Sequence, residues 1–120
     1  MTSEELKILE QNWTELQEEL AKNFGQKPDL QSLLFLIGIQ ELGQLHRKFS
    51  KEQKQDLMHI AVCHLMSLKG YFELTHRDEQ GWPHYKALRP PPEQDKGVEQ
   101  QELLLKQLVL RYFEINNQTI

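Results

Sequence analysis

One cysteine, Cys63, is the only thiol in this 120-residue sequence. A single thiol forms no internal disulfide, which fits a reducing compartment. Positive charge is also short. Fourteen Lys and Arg face eighteen Asp and Glu, for a formal charge of -4. Nucleic-acid affinity comes from clustered Lys and Arg, so nucleic acid is not expected as the main partner; only a local basic patch would change that. Long apolar runs are missing too. The longest, Leu33 to Ile39, is far short of the roughly 20 residues a membrane span needs. Met1-Thr2-Ser3-Glu4-Glu5 has neither the basic start nor the apolar core of a secretory signal. The cytoplasm is the expected address, with no membrane partner.

Several chemical signatures are missing as well. Gly38 and Gly43 lie within or at the end of a helical pattern and do not follow a strand, so no phosphate-cradling loop is present. Ser, His and Asp occur in no recognisable nucleophilic arrangement. Cys63 has no activating base beside it in a known motif. The sequence therefore points away from an enzyme and implies no cofactor.

What is present is ordinary globular material. Hydrophobic residues make up 38% and charged residues 27%, a balance that supports a packed core rather than disorder. The length suits one domain, residues 1–120. The periodicity predicts a mainly α fold: a four-helix domain with a β-hairpin between helices 3 and 4.

The first helix is expected from Ser3 to Phe24. Thr2 and Glu5 have capping-box spacing, and Leu6, Leu9, Trp13, Leu16, Leu20 and Phe24 form one narrow stripe. Gly25 and Pro28 stop it. The second helix opens at the N-cap Asp29 and runs to about Gln44. Leu30, Leu33, Leu34, Phe35, Leu36, Ile37, Ile39 and Leu42 leave it almost no polar face, so it is expected to be the central, most buried helix, with Gly38 admitting a close neighbour. After the polar link His46-Arg47-Lys48, Ser50 and Gln53 repeat the capping-box spacing. The third helix then carries Leu57, Ile60, Ala61, Leu65 and Leu68, and Gly70 ends it.

The period then changes to two. Tyr71–Arg77 and Trp82–Leu88 flank Asp78-Glu79-Gln80-Gly81, a loop length that suits a hairpin spanning about 71–88. The implied register sets Phe72 opposite Ala87 and Leu74 opposite Tyr85 on an apolar face. On the other face Glu73 meets Lys86, Thr75 meets His84, and Arg77 lies beside Trp82 as a cation–π pair. Pro90-Pro91-Pro92 opens a stiff linker over 90–97. The last helix is expected over about 98–115. Leu104, Leu105, Leu108, Tyr112 and Ile115 form its core stripe, and residues 116–120 fray.

Several residues stand out against this frame. Glu41 falls in line with Leu34 and Ile37, where a lone carboxylate would cost several kcal/mol unless paired. His64 and Arg47 are its expected partners, and Glu41 with His64 forms a candidate buried polar site. His59 and Cys63, four apart, have the spacing of half a zinc site, but the other half is not evident. A surface histidine and a half-exposed thiol are the plainer expectation. Glu73-x-x-His76 copies the letters of a di-iron motif on a strand, where the two side chains diverge, so no metal is expected.

On the last helix Leu103 and Leu110 lie seven apart, and with Phe113 they point away from the core stripe. Together with Trp82 at the hairpin tip they form the candidate interaction surface. The function expected from these features is a non-enzymatic protein-interaction or assembly module acting as a homodimer, its partner another copy or another protein. The alternative is a winged-helix-like DNA-binding regulator, with Arg47, Lys48, Lys51, Lys54, Lys69, Arg77, Lys86 and Arg89 around helix, helix and wing. The second alternative is a small metal- or ligand-binding helical protein built around Glu41 and His64.

Overall fold

A computed structural model of the protein describes residues 1–43, 48–92 and 97–116. The chain forms α1 (Ser3–Phe24), α2 (Leu30–Leu42), α3 (Lys51–Ser67), β1 (Phe72–Arg77), β2 (Pro83–Ala87) and α4 (Val98–Asn116). It is a mainly α domain of four helices with a two-stranded antiparallel hairpin between the third and fourth. Arg47 and Leu45, the linker from Glu93 to Lys96, and the C-terminal residues 117–120 lie outside the described residues.

Local chemistry sets the helix ends. The Thr2 hydroxyl accepts from the Glu5 N–H at 3.1 Å, and the Asp29 carboxylate accepts from the Ser32 N–H at 2.8 Å. Ser50 and Gln53 exchange both bonds of a capping box, at 3.1 and 3.0 Å. Each cap satisfies a backbone donor that a helix start leaves open. α1 and α2 stop at Gly25 and Gly43, whose φ values of 77° and 80° belong to the left-handed region that favours glycine.

Along α2 only Gln31 and Ser32 are exposed. The helix is closest to its neighbour at Gly38, where an added Cβ would fall on the Leu57 backbone of α3. The hub of the packing is α3, however, and not α2 as the hydropathy suggested. α3 packs against α2, both strands and α4. No residue from Ile60 to Leu68 is exposed. This enclosure corrects the expectation for Cys63, which is buried at 4% exposure beneath an exposed His59. An amphipathic pattern read from the first turns of α3 does not reveal that its second half is covered all round.

α1 lies along α4. The Lys106 ammonium sits 5.5 Å from the Trp13 ring centroid and 3.4 Å from a Glu10 carboxylate oxygen. On α4 the buried residues are Leu104, Leu108, Val109, Tyr112 and Phe113. They cover a wider arc than a narrow stripe, because α4 meets α1, α2 and α3 together. Two assignments change as a result. Phe113 is a core residue at 6% exposure, and Ile115, in the last turn, is 57% exposed.

In the hairpin, Phe72, Glu73 and Leu74 pair with Ala87, Lys86 and Tyr85 as the alternation implies. The register then shifts between Leu74 and His76, so His84 faces His76 rather than Thr75, and Arg77 faces Pro83 rather than Trp82. Thr75 is the extra residue of a bulge, and bulges are common near the ends of such ladders. The Arg77 guanidinium donates to the Gly81 carbonyl at 3.1 Å and does not lie over Trp82. Of the apolar face, Phe72 and Tyr85 turn inward, while Leu74 and Ala87 stay exposed.

Candidate functional site

Four elements meet at one carboxylate. Glu41 comes from the end of α2, His64 from the last turns of α3, Tyr85 from β2 and Tyr112 from α4. The Tyr112 hydroxyl donates to Glu41 Oε2 at 2.7 Å. His64 Nδ1 lies 3.5 Å from Glu41 Oε1 and 3.1 Å from the Tyr85 hydroxyl. The imidazole is edge-on to both phenol rings, with centroids 5.5 Å from Tyr112 and 6.3 Å from Tyr85. The Glu41 and His64 side chains are 19% and 25% exposed, so water reaches the cluster without filling it.

The electrostatics follow from that setting. Burial pushes the Tyr85 phenol up to about 12, with the Glu41 charge adding to the effect. Burial also pushes the Tyr112 phenol far above its ordinary range. The hydrogen bond it donates to Glu41 adds to this, since ionisation would set two anions face to face. Both tyrosines therefore stay un-ionised at physiological pH, with Tyr112 donating to Glu41. The sequence singled out Glu41 and His64, which the structure brings together, and missed the two tyrosines. A signal for them was present: each is a Tyr in an apolar stripe, and a buried phenol needs a partner for its hydroxyl.

A second feature lies at the hairpin tip. An open groove of about 400 Å³ runs between α3 and the turn, lined by Gln53, Asp56, His59, Ile60, Asp78, Gln80, Trp82, Pro83 and His84. The turn itself is well bonded. Asp78 Oδ1 accepts from the Gln80 and Trp82 N–H groups at 3.0 and 2.9 Å, and Oδ2 lies 3.0 Å from His84 Nε2. The His84 contact, then these backbone donors, hold the Asp78 carboxyl below its usual range. Trp82 is half-buried and packs edge-on against Phe49, which packs edge-on against Phe35 of α2, with centroids 6.5 and 6.4 Å apart. These aromatic contacts fix the ring that forms one wall of the groove.

The other candidates separate. His59 Nε2 lies 3.6 Å from Cys63 Sγ, and burial pushes the Cys63 thiol up, away from the reactive thiolate. His76 and His84 stack face to face with centroids 4.7 Å apart. Among the described residues no three of His, Cys, Asp and Glu are grouped to hold a metal ion. Leu103 and Leu110 are half-buried, Leu110 in a cleft shared with α1, and Phe113 faces the core, so the three do not form one exposed patch. No helix among the described residues is long and apolar enough to cross a membrane.

Comparison with protein-family models, with curated proteins and with solved structures returns no match to this chain. Its geometry alone carries the functional argument.

Proposed function

We propose that the chain is a non-enzymatic protein-interaction module that takes a partner segment in the groove between α3 and the hairpin tip. One observation carries this. Ile60, Trp82 and Pro83 make an apolar floor, and Gln53, Asp56, His59, Gln80 and His84 surround it with hydrogen-bonding groups. An apolar centre with a polar rim and a rigidly held Trp is the usual anatomy of a recognition site. The volume of about 400 Å³ suits a few side chains.

A photo-cross-linking residue at the exposed Asp56 position tests it in cells. A single partner segment, lost from the cross-linked products when Trp82→Ala is added to the folded protein, is the expected result. Products that are diffuse, or unchanged by Trp82→Ala, would overturn the proposal.

Self-association is a second reading, supported by a different observation. Ile8 of α1, 56% exposed, borders a shallow cleft of about 280 Å³ with Leu110 of α4. The DNA-binding alternative has less behind it. Arg89 donates to the Lys69 carbonyl at 3.0 Å and lies over the Tyr71 ring, and Arg77 is bound to Gly81, so these basic groups serve the fold. The exposed start of α3 also mixes Lys51 and Lys54 with Glu52 and Asp56, and the acids repel phosphate.

A further inference from the structure

His64 Nδ1 faces two oxygens that compete for it: the Tyr85 hydroxyl, which can donate or accept, and the Glu41 carboxylate, which only accepts. The Tyr85 hydroxyl, 3.1 Å away, can donate to Nδ1 when that nitrogen carries a lone pair. The Glu41 carboxylate, with Oε1 at 3.5 Å, can only accept, so it bonds Nδ1 when that nitrogen carries a proton. The 3.5 Å separation is long for a charge-assisted bond, which closes to roughly 2.7–2.9 Å when made. Glu41 is held on its other oxygen by Tyr112 of α4 and belongs to α2, while Tyr85 belongs to the hairpin.

We propose that His64 is a proton-operated latch between the hairpin and the helices. With the imidazole neutral, Tyr85 donates to Nδ1 and ties β2 to α3. When His64 takes up a proton, Nδ1–H favours the Glu41 carboxylate, a stronger acceptor than the neutral phenol oxygen, and ties α3 to α2, while Tyr85 can no longer donate to Nδ1. One proton arrives from solvent and forms an N–H bond at Nδ1, no bond between heavy atoms changes, and one hydrogen bond is exchanged for another.

Among the described residues, the groups facing the imidazole are Glu41 from α2, Tyr85 from β2 and Tyr112 from α4. Beyond these, the Arg77 guanidinium of β1 lowers the Tyr85 phenol, and the Cys63 thiol of α3 raises it only where it is ionised. Neither phenol ionises near neutral pH, so both keep their hydroxyl protons across the interval in which an imidazole gains charge. The latch stands on these contacts alone and is independent of what the groove binds.

Amide hydrogen exchange tests it. Protection factors for the paired amides of β1 and β2 are compared between about pH 8 and about pH 5, the interval in which histidines gain charge. Hairpin protection in the native chain should fall roughly three- to tenfold on acidification, the range expected for one hydrogen bond. In His64→Asn, which keeps a hydrogen-bonding group near Nδ1 but does not titrate, that fall should shrink to whatever His76 and His84 cause. Tyr85→Phe should start at the low protection and not change further through His64. An equal fall in the native chain and His64→Asn would overturn the latch. So would an undiminished fall in Tyr85→Phe, which covers the case in which His64→Asn does not fold.

Discussion

A methyl group built on Gly38 would stand 2.7 Å from the carbonyl carbon of Leu57 and 3.0 Å from its Cβ. The two helices therefore touch backbone to side-chain base at this point, and the neighbour has no flexible end to move aside. Alanine is the better helix former by about 0.8–1 kcal/mol, so propensity alone favours Gly38→Ala. Overpacking costs about 1–3 kcal/mol, and here the obstacle is backbone. Gly38→Ala should lower stability by about 2 kcal/mol in denaturant unfolding. A variant as stable as the native chain would mean that α2 and α3 are not this close.

Glu41 and Tyr112 should behave as an energetic pair. Hydrogen bonds to charged groups contribute roughly 1.5–3 kcal/mol when buried. Glu41 keeps 19% exposure, so Tyr112→Phe should cost about 1–2 kcal/mol. A double-mutant cycle with Glu41→Ala should return a coupling of at least about 0.5 kcal/mol. Additive single costs would show that the 2.7 Å bond adds nothing to stability in solution.

Alkaline pH should loosen the domain in a predictable sense. In the unfolded chain phenols ionise near about 10. In the folded chain Tyr85 waits until about 12 and Tyr112 later still. Between those limits the unfolded state binds fewer protons, so the contribution of these two phenols is full below about pH 10 and declines above it. Both phenols are partly solvated, which reduces the slope to on the order of 1 kcal/mol per pH unit for the pair. Unfolding midpoints measured from pH 9 to pH 11 (roughly the span of phenol ionisation) should stay flat and then drop. The Tyr85→Phe, Tyr112→Phe double variant should drop less steeply. An equal slope in both proteins would rule out these phenols as the cause.

Much of this was written in local pattern. Thr2, Asp29 and the Ser50–Gln53 pair cap helices by spacing alone, because a cap involves only three or four neighbouring residues. The hairpin alternation placed Phe72, Glu73 and Leu74 against their partners. It failed one residue later, at Thr75, because a bulge changes the register and nothing in an alternating pattern marks it. Glu41 stood out because a carboxylate in an apolar stripe needs a partner; His64, one of the two expected, lies 3.5 Å away, and the closer partner, Tyr112, was not foreseen. Phe113 and Ile115 were exchanged because the direction of burial on α4 depends on three other helices, which no single-helix period contains. The groove beside Trp82 depends on how the hairpin lies across α3 and is likewise a tertiary property.

Self-association gives the sharpest remaining test, and the surface proposed for it differs from the one read in the sequence. The sequence placed it on Leu103, Leu110 and Phe113, but Phe113 belongs to the core and Leu110 lies in a cleft with α1. What stays open is the seam where Ile8 meets Leu110, with Glu5, Asn12 and Gln107 around it. A single exposed isoleucine needs no explanation, whereas one beside a half-buried leucine in a cleft begins a patch. Two-fold contact with the same seam of a second copy buries both at once, since an isologous interface presents each side chain to its counterpart region. Sedimentation equilibrium should then show a reversible dimer, shifted to monomer by Ile8→Lys. That position is 56% exposed, so the substitution removes no core contact and the variant should keep its fold. A native monomer at high protein concentration would sink the idea. So would a dimer indifferent to Ile8→Lys, and in that case the groove at the hairpin tip becomes the next surface to block, with Trp82→Ala.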